Sequence, residues 1–357
     1  METGSSEALY RLGALNETTQ NYAEAVKLYG RGAAHDDYRA MVSLGEMYEQ
    51  GRGVQKDVGR AVKLYEQAGN GSPWAQFKLG VLYSQGEALP ADYAKALAWW
   101  HKSADGGNIK AINNLGVMYD RGLGVSVDYQ QALSFYLKAR ALPQAKGNLQ
   151  AIFEEGRGAP DDPAKRATWY RVGADAGVAA AQFRLGMLYA KGIGLPRDNC
   201  AAAELLSAAE NQGYPNARNE LSDLLFTMGQ AYESNKQLAV CKHLIPYASS
   251  GQDISTILFS QSLFLGNKRA VDYVAAKYER MGNLAAAQQV RGAYGRISPP
   301  RQVPPHWPAG FDLTLDEDQQ RVRQIRIASV GQVQSAGVAI VNPDIYTIIY
   351  WRPPSTK

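Results

Sequence analysis

Small and apolar residues recur along this chain at the spacing of an α-helix. Ala40, Leu44 and Tyr48 lie four residues apart, so they would form one stripe on a helix. The same stripe, with a glycine directly after its leucine, returns three times further along the chain. The four copies occupy residues 40–48, 75–83, 111–119 and 181–189. Copies spaced by about 35 residues, or by twice that number, predict a helical repeat array.

Two positions set the register of each repeat: a glycine in the first helix and an aspartate before the second. Asp57 follows Gly45 by 12 residues, and the other copies keep that separation. A glycine inside a helix costs about 1 kcal/mol relative to alanine, so we expect a neighbouring backbone to approach closely there. The aspartate is a favoured N-cap and should begin the second helix. A Gly-x-Gly pair such as Gly51 and Gly53 should end the first helix.

The full pattern is A-x-x-x-L-G-x-x-Y-x-x-G-x-G-V-x-x-D-x-x-x-A-x-x-W/Y-Y, and it covers about residues 36–213. It resembles the Sel1-like repeat, a relative of the tetratricopeptide repeat. The resemblance implies antiparallel helix pairs stacked in a right-handed superhelix whose first helices line a concave face. It also implies an adaptor or binding protein and not an enzyme.

The predicted fold is therefore all-α, a right-handed α-solenoid that ends in a small tail. A shortened helix pair at 1–35 should cap the N-terminus of the Sel1-like repeats at 36–213. Degenerate tetratricopeptide-like helices should follow at 214–297, where the glycine is lost but the apolar spacing persists. Residues 298–357 begin with a proline-rich stretch and contain an alternating segment at 338–350, which predicts a β-hairpin.

Composition argues against several classes of function. The 38 basic residues are scattered and nearly balanced by 34 acidic ones, which does not suit a nucleic-acid-binding protein. The four histidines and two cysteines are not at ligand spacings, so we expect no metal and no cofactor. Whether Cys200 and Cys241 are bonded stays open. The Gly-x-Gly loops follow helices and lack a third glycine, which is unlike a dinucleotide site. No catalytic constellation is apparent.

The repeat positions that change between copies are the candidate binding surface. By resemblance to tetratricopeptide arrays, three variable positions of the first helices should face the groove. Val81, Val117 and Met187 would form an exposed apolar trio there, and such patches usually have a function. The predicted partner-binding residues of the concave face are Ser43, Glu46, Gln50, Lys78, Val81, Gln85, Asn114, Val117, Arg121, Arg184, Met187 and Lys191.

The resemblance favours a non-enzymatic protein–protein interaction module. Some Sel1-like proteins resemble immunity partners of secreted effectors, so we expect neutralisation of an antibacterial effector of the type VI, phospholipase class. The alternative is a scaffold for envelope or polysaccharide-secretion assembly. The chain shows no transmembrane segment and no leader, so we expect a periplasmic mature form whose signal has been removed, or else a cytoplasmic protein. We expect a monomer when no partner is bound.

Overall fold

The predicted all-α repeat fold is confirmed. A computed structural model of the chain describes residues 3–86, 90–235, 241 and 254–294. Within these ranges there are sixteen α-helices and no β-strand. None of these helices has both the length and the apolar character needed to cross a bilayer. The predicted hairpin at 338–350 and the proline-rich stretch lie outside the described residues.

The chain divides into two compact units after Leu142. In the first unit each helix packs mainly against its neighbours in the chain, as expected for stacked helix pairs. Its helices are α1 (Thr3–Thr18), α2 (Tyr22–Ala33), α3 (Tyr38–Gln50), α4 (Val58–Ala68), α5 (Pro73–Gln85), α6 (Tyr93–Asp105), α7 (Ile109–Arg121) and α8 (Tyr129–Lys138).

The second unit begins at Pro143 and repeats the same local arrangement of paired helices. The first helices of adjacent pairs also touch, because α9 contacts α11 directly. Its helices are α9 (Pro143–Glu155), α10 (Pro163–Asp175), α11 (Ala179–Lys191), α12 (Asn199–Asn211), α13 (Ala217–Ser234), α14 (Ile254–Phe264), α15 (Lys268–Arg280) and α16 (Leu284–Tyr294).

The helix boundaries follow from the two predicted signals. The Asp57 side chain accepts a hydrogen bond from the Arg60 backbone N–H and caps α4, and other repeats cap their second helices in the same way. The first helix α3 ends at Gly51, whose φ of +69° lies in the left-handed region. Such a residue satisfies the last helical carbonyls at little steric cost when it is glycine.

The second glycine of each Gly-x-Gly pair is where one backbone meets another. A Cβ added to Gly53 would lie 2.4 Å from the backbone carbonyl carbon of Tyr22, at the start of α2. Gly124 meets the backbone of Tyr93 at the start of α6 in the same manner, at 3.0 Å. The loop of one repeat therefore packs on the second helix of the repeat before it.

Candidate interaction surface

In the repeats of the first unit, an aromatic ring packs on the glycine of the first helix, where we had expected a backbone. A Cβ on Gly45 would lie 2.7 Å from the ring of Tyr65, which is fully buried. Gly116 carries the ring of Tyr136 in the same way, with a distance of 2.5 Å. The ring belongs to the second helix of the same repeat. The glycine thus holds the two helices of a pair together.

An acidic side chain, half-buried for Glu49 and buried for Asp120, completes this arrangement where the aromatic residue is tyrosine. The Tyr65 hydroxyl donates to Glu49 at 2.6 Å, and the Tyr136 hydroxyl donates to Asp120 at 3.2 Å. Each acid lies four residues after the helix glycine. In the repeat that has Trp100 instead, this position is occupied by a serine. Our sequence analysis missed the pairing, although the joint occurrence of tyrosine and acid was a signal that could have revealed it.

Charged side chains are buried between the first helices of neighbouring repeats. Lys78 of α5 is only 5% exposed and donates from Nζ to the Glu49 carboxylate of α3 at 2.8 Å. Glu46 of α3 is 6% exposed and accepts from Trp74 Nε1 at 2.9 Å. These contacts join α3 to α5. They place two carboxylates and one ammonium group in a region of low dielectric constant.

Burial controls the ionisation of this cluster. The loss of solvent around Glu46 raises the pKa of its carboxyl to about 7, although Lys78 and the Trp74 N–H act in the opposite direction. Burial tends to lower the pKa of Lys78, but the carboxylates of Glu49 and Glu46 outweigh it, so the pKa is raised. Lys78 therefore stays charged at neutral pH. The cluster holds α3 of one repeat against α5 of the next.

The twelve predicted surface residues fall into three groups. Two side chains are half-buried, those of Ser43 and Met187. The buried group consists of Glu46, Lys78, Val81, Asn114 and Val117. The exposed group consists of Gln50, Gln85, Arg121, Arg184 and Lys191.

The apolar trio requires a correction. Val81 and Val117 are 5% and 1% exposed, so they are not the exposed apolar surface that we expected. Their helices stack so closely that these positions face the core of the first unit, where Val81 belongs to the same apolar cluster as Trp100. Met187 of α11 is partly accessible, because it lies at the edge of a different apolar cluster.

The exposed predicted residues are concentrated at the ends of the first helices. In the first unit, Gln50, Gln85 and Arg121 are the last residues of α3, α5 and α7. In the second unit, Lys191 is the last residue of α11, and Arg184 lies two turns earlier. These long polar side chains are exposed, whereas the packing residues of the same helices are buried. That arrangement allows the surface to vary without disturbing the core.

The second unit contains a disulfide, so the two cysteines whose pairing the sequence left open are bonded. Cys200 of α12 is bonded to Cys241, and their Cα atoms are 5.3 Å apart. Cys241 is buried in the same apolar cluster as Leu206 and Leu224. The bond therefore joins Cys241, which follows α13 in the sequence, to α12.

These features define a repeat protein built from helix pairs, and comparison with known sequences gives the family. The Sel1 repeat matches residues 6–37, 39–72, 75–108, 109–142 and 179–214. The chain therefore contains five Sel1 repeats, and such repeats form a protein-interaction fold. The first match includes the region that we interpreted as an N-terminal cap.

Several solved structures are similar to this chain. A Sel1 repeat protein from Oxalobacter formigenes is 27% identical, with 60% of this chain and 90% of that one covered and a TM-score of 0.43. The protective antigen c5321 of uropathogenic Escherichia coli is 22% identical, with coverage of 96% and 90% and a TM-score of 0.34. Immunity protein Pa5087 from Pseudomonas aeruginosa is 20% identical, with coverage of 58% and 81% and a TM-score of 0.32.

Proposed function

We propose that this protein is a non-enzymatic immunity protein that binds and neutralises a secreted antibacterial effector of the type VI, phospholipase class. One observation carries the proposal. Long polar side chains are exposed at the ends of successive first helices, while the glycine, aromatic and apolar residues that hold each repeat are buried. Such a surface can be fitted to a single partner because its residues are exposed and lie outside the buried core.

The charge of this surface indicates what it would recognise. Arg121 in the first unit and Arg184 and Lys191 in the second unit are exposed and basic. Gln50 and Gln85 add uncharged groups that donate and accept hydrogen bonds. In each unit taken by itself, these side chains suit an acidic, polar patch on a partner protein, and such charges would accelerate association as well as select the partner.

Glu46 and Tyr65 have displaced pKa values, and the causes of these shifts support a binding role over catalysis. Displaced pKa values often mark active sites, but structural pairs displace them too. The raised pKa of Glu46 belongs to a carboxyl that is buried and bonded to Trp74. The pKa of Tyr65 is raised far above its usual value by burial and by Glu49, its hydrogen-bond partner. Structural contacts explain both pKa shifts, because the Glu46–Trp74 contact joins two repeats and the Tyr65–Glu49 contact joins the two helices of one repeat.

We place the protein in the periplasm and expect it to be monomeric without its partner. The Cys200–Cys241 disulfide supports this location, because structural disulfides persist in oxidising compartments and are uncommon in the cytosol of mesophiles.

The proposal is tested by capture from bacterial extracts with the full chain as bait, followed by mass spectrometry. The matched baits are Arg121→Glu, on the proposed surface, and Lys27→Glu, on an exposed position of a second helix. We expect one stoichiometric secreted enzyme that is retained by Lys27→Glu and lost by Arg121→Glu. Adding purified chain should then abolish the activity of that enzyme at equimolar ratio.

Two results would contradict the proposal. Capture of several envelope-assembly proteins at low occupancy would make the chain a scaffold. Full activity of the captured enzyme in the presence of excess chain would show that binding does not neutralise it.

A further inference from the structure

An open cleft of about 170 Å³ lies in the second unit, between α11, α12 and α13. Its floor is apolar and its rim carries charges of both signs. The residues that matter for the argument are Met187, Ala190, Leu206 and Leu224 in the floor and Lys191 and Glu220 at the rim. In the part of the chain that the structure describes, neither Lys191 nor Glu220 makes an ion pair.

The cleft is lined by Leu206, the residue that takes the place of the aromatic residue of other repeats. Twenty residues after the helix glycine, three repeats have Tyr65, Trp100 and Tyr136, but this repeat has Leu206. A Cβ on Gly186 would be 3.1 Å from the nearest atom of Leu206. A Cβ added to the corresponding glycine of the other three repeats would lie closer to the ring, at 2.3–2.7 Å. Leucine lacks the volume that the rings supply.

The acid that normally accepts the tyrosine hydroxyl is missing as well. Glu49 and Asp120 have that role in two other repeats, four residues after the glycine. The corresponding residue here is Ala190. Both replacements, Leu206 and Ala190, line the cleft. The cleft therefore borders both positions at which this repeat lacks the ring and the carboxylate of the other repeats.

We infer that this cleft receives an aromatic side chain from a protein partner, beside the position where other repeats have their own ring. The inference rests on the proposed function for the existence of that partner. Met187 offers a thioether, which makes favourable contacts with aromatic rings. The Lys191 ammonium can lie over the face of a ring, and the Glu220 carboxylate can accept a hydrogen bond from a phenol or an indole N–H. An aliphatic side chain would use neither group.

One wall of the cleft, helix α12, is held by a disulfide. Cys200 of α12 is bonded to Cys241, which packs in the same apolar cluster as Leu206 and Leu224. A preformed cleft loses less conformational entropy on binding than one that must be ordered.

The test uses N-acetyl-L-tyrosinamide as a probe and the full chain with ¹³C-labelled methionine methyl groups. Met187 is one of seven methionines, and its signal is assigned with a Met187→Leu variant. We expect a saturable shift of the Met187 signal with the tyrosine amide, and none with N-acetyl-L-alaninamide. In a Leu206→Tyr, Ala190→Glu variant the chain supplies its own ring and acid, so the shift should disappear while the helical circular dichroism remains.

A second variant keeps the inference testable if the filled variant does not fold. Lys191→Ala removes one exposed rim charge and should weaken binding of the probe about threefold, the loss expected for a cation–π contact. No saturable shift in the wild type, or an equal shift in the filled variant, would overturn the inference. The probe binds without any partner, so this failure is separable from failure of the capture experiment, which would refute the proposed function alone.

Discussion

The ring of Tyr136 packs so closely on Gly116 that a Cβ added to this glycine would lie 2.5 Å from the ring's Cε1 atom. Real Cβ atoms do not approach a ring so closely. Tyr136 is fully buried and also donates a hydrogen bond to Asp120, so the ring is held from two sides. The conserved spacing between glycine and ring within this chain is therefore a packing requirement.

Gly116→Ala should destabilise the first unit. Alanine is favoured over glycine within a helix by about 1 kcal/mol. Displacing a buried ring costs about 1–3 kcal/mol, because the core is already close-packed. We therefore expect the free energy of unfolding in urea, followed by circular dichroism, to fall. Gly30→Ala is the control, because Gly30 lies in helix α2 with open space around its Cα, and this variant should be slightly more stable. Equal effects of the two substitutions would refute the ring contact.

Lys78→Met should be strongly destabilising, although methionine is similar in size to lysine. The substitution keeps the buried stem but leaves Glu49 and Glu46 without their cation. Breaking a buried ion pair from one side costs about 3–5 kcal/mol, because the remaining charge stays desolvated. Lys27→Met removes an exposed lysine from the same unit and should change the urea midpoint very little. A small effect of Lys78→Met would mean that water reaches the two carboxylates.

Stability should decrease with rising pH because of Glu46. Its pKa is raised from 4.5 to about 7 in the folded chain, so the folded state binds the proton more tightly than the unfolded state between these values. The contribution of Glu46 to the free energy of unfolding therefore falls as pH rises through that window and levels off above it. Glu46→Gln removes the ionisation. The free energy of unfolding of this variant should therefore increase relative to that of the wild type as the pH rises from 5 to 8.

The control for this pH effect is Glu66→Gln, at an exposed glutamate of α4. The difference in free energy of unfolding between this variant and the wild type should stay constant over the same pH range. A Glu46→Gln profile parallel to that of the wild type would show that Glu46 ionises normally in the folded state.

Reduction of the disulfide should weaken the second unit. The bond closes a loop with a sequence separation of 41 residues, and the corresponding chain entropy is about 4 kcal/mol. We expect dithiothreitol to lower the melting temperature of the wild type. A variant with both Cys200→Ser and Cys241→Ser should melt at the lower temperature and be insensitive to the reductant. A wild-type melting curve that is unchanged by full reduction would show that the bond is not stabilising.

The local structure was predictable because its signals are local. Asp57 and Gly51 mark a helix start and a helix end through capping chemistry that involves only a few neighbouring residues. The contact at Gly45 was predictable only as a close approach. Whether a backbone or the ring of Tyr65 approaches depends on the second helix, whose orientation the repeat pattern does not specify.

The candidate surface was harder to predict, because variability between copies does not distinguish exposed positions from buried ones. The residue type at Val117 varies between copies, but Val117 is buried, with 1% of its surface exposed. Lys78 would ordinarily be assigned to the surface, yet Glu49 of the preceding repeat allows it to be buried. The last residue of the helix, such as Arg121, was predictable as exposed because the chain turns away from the stack there.

The measurement that tests the account most directly is the affinity of the captured partner for single charge-reversal variants, determined by calorimetry. The variants are Arg121→Glu in the first unit and Lys191→Glu in the second unit, compared with the wild type and with Lys27→Glu. We predict that at least one of the two surface variants binds tenfold or more weakly, about 1.4 kcal/mol, with an unchanged melting temperature. Wild-type affinity in both surface variants would contradict a partner-binding role for the ends of the first helices.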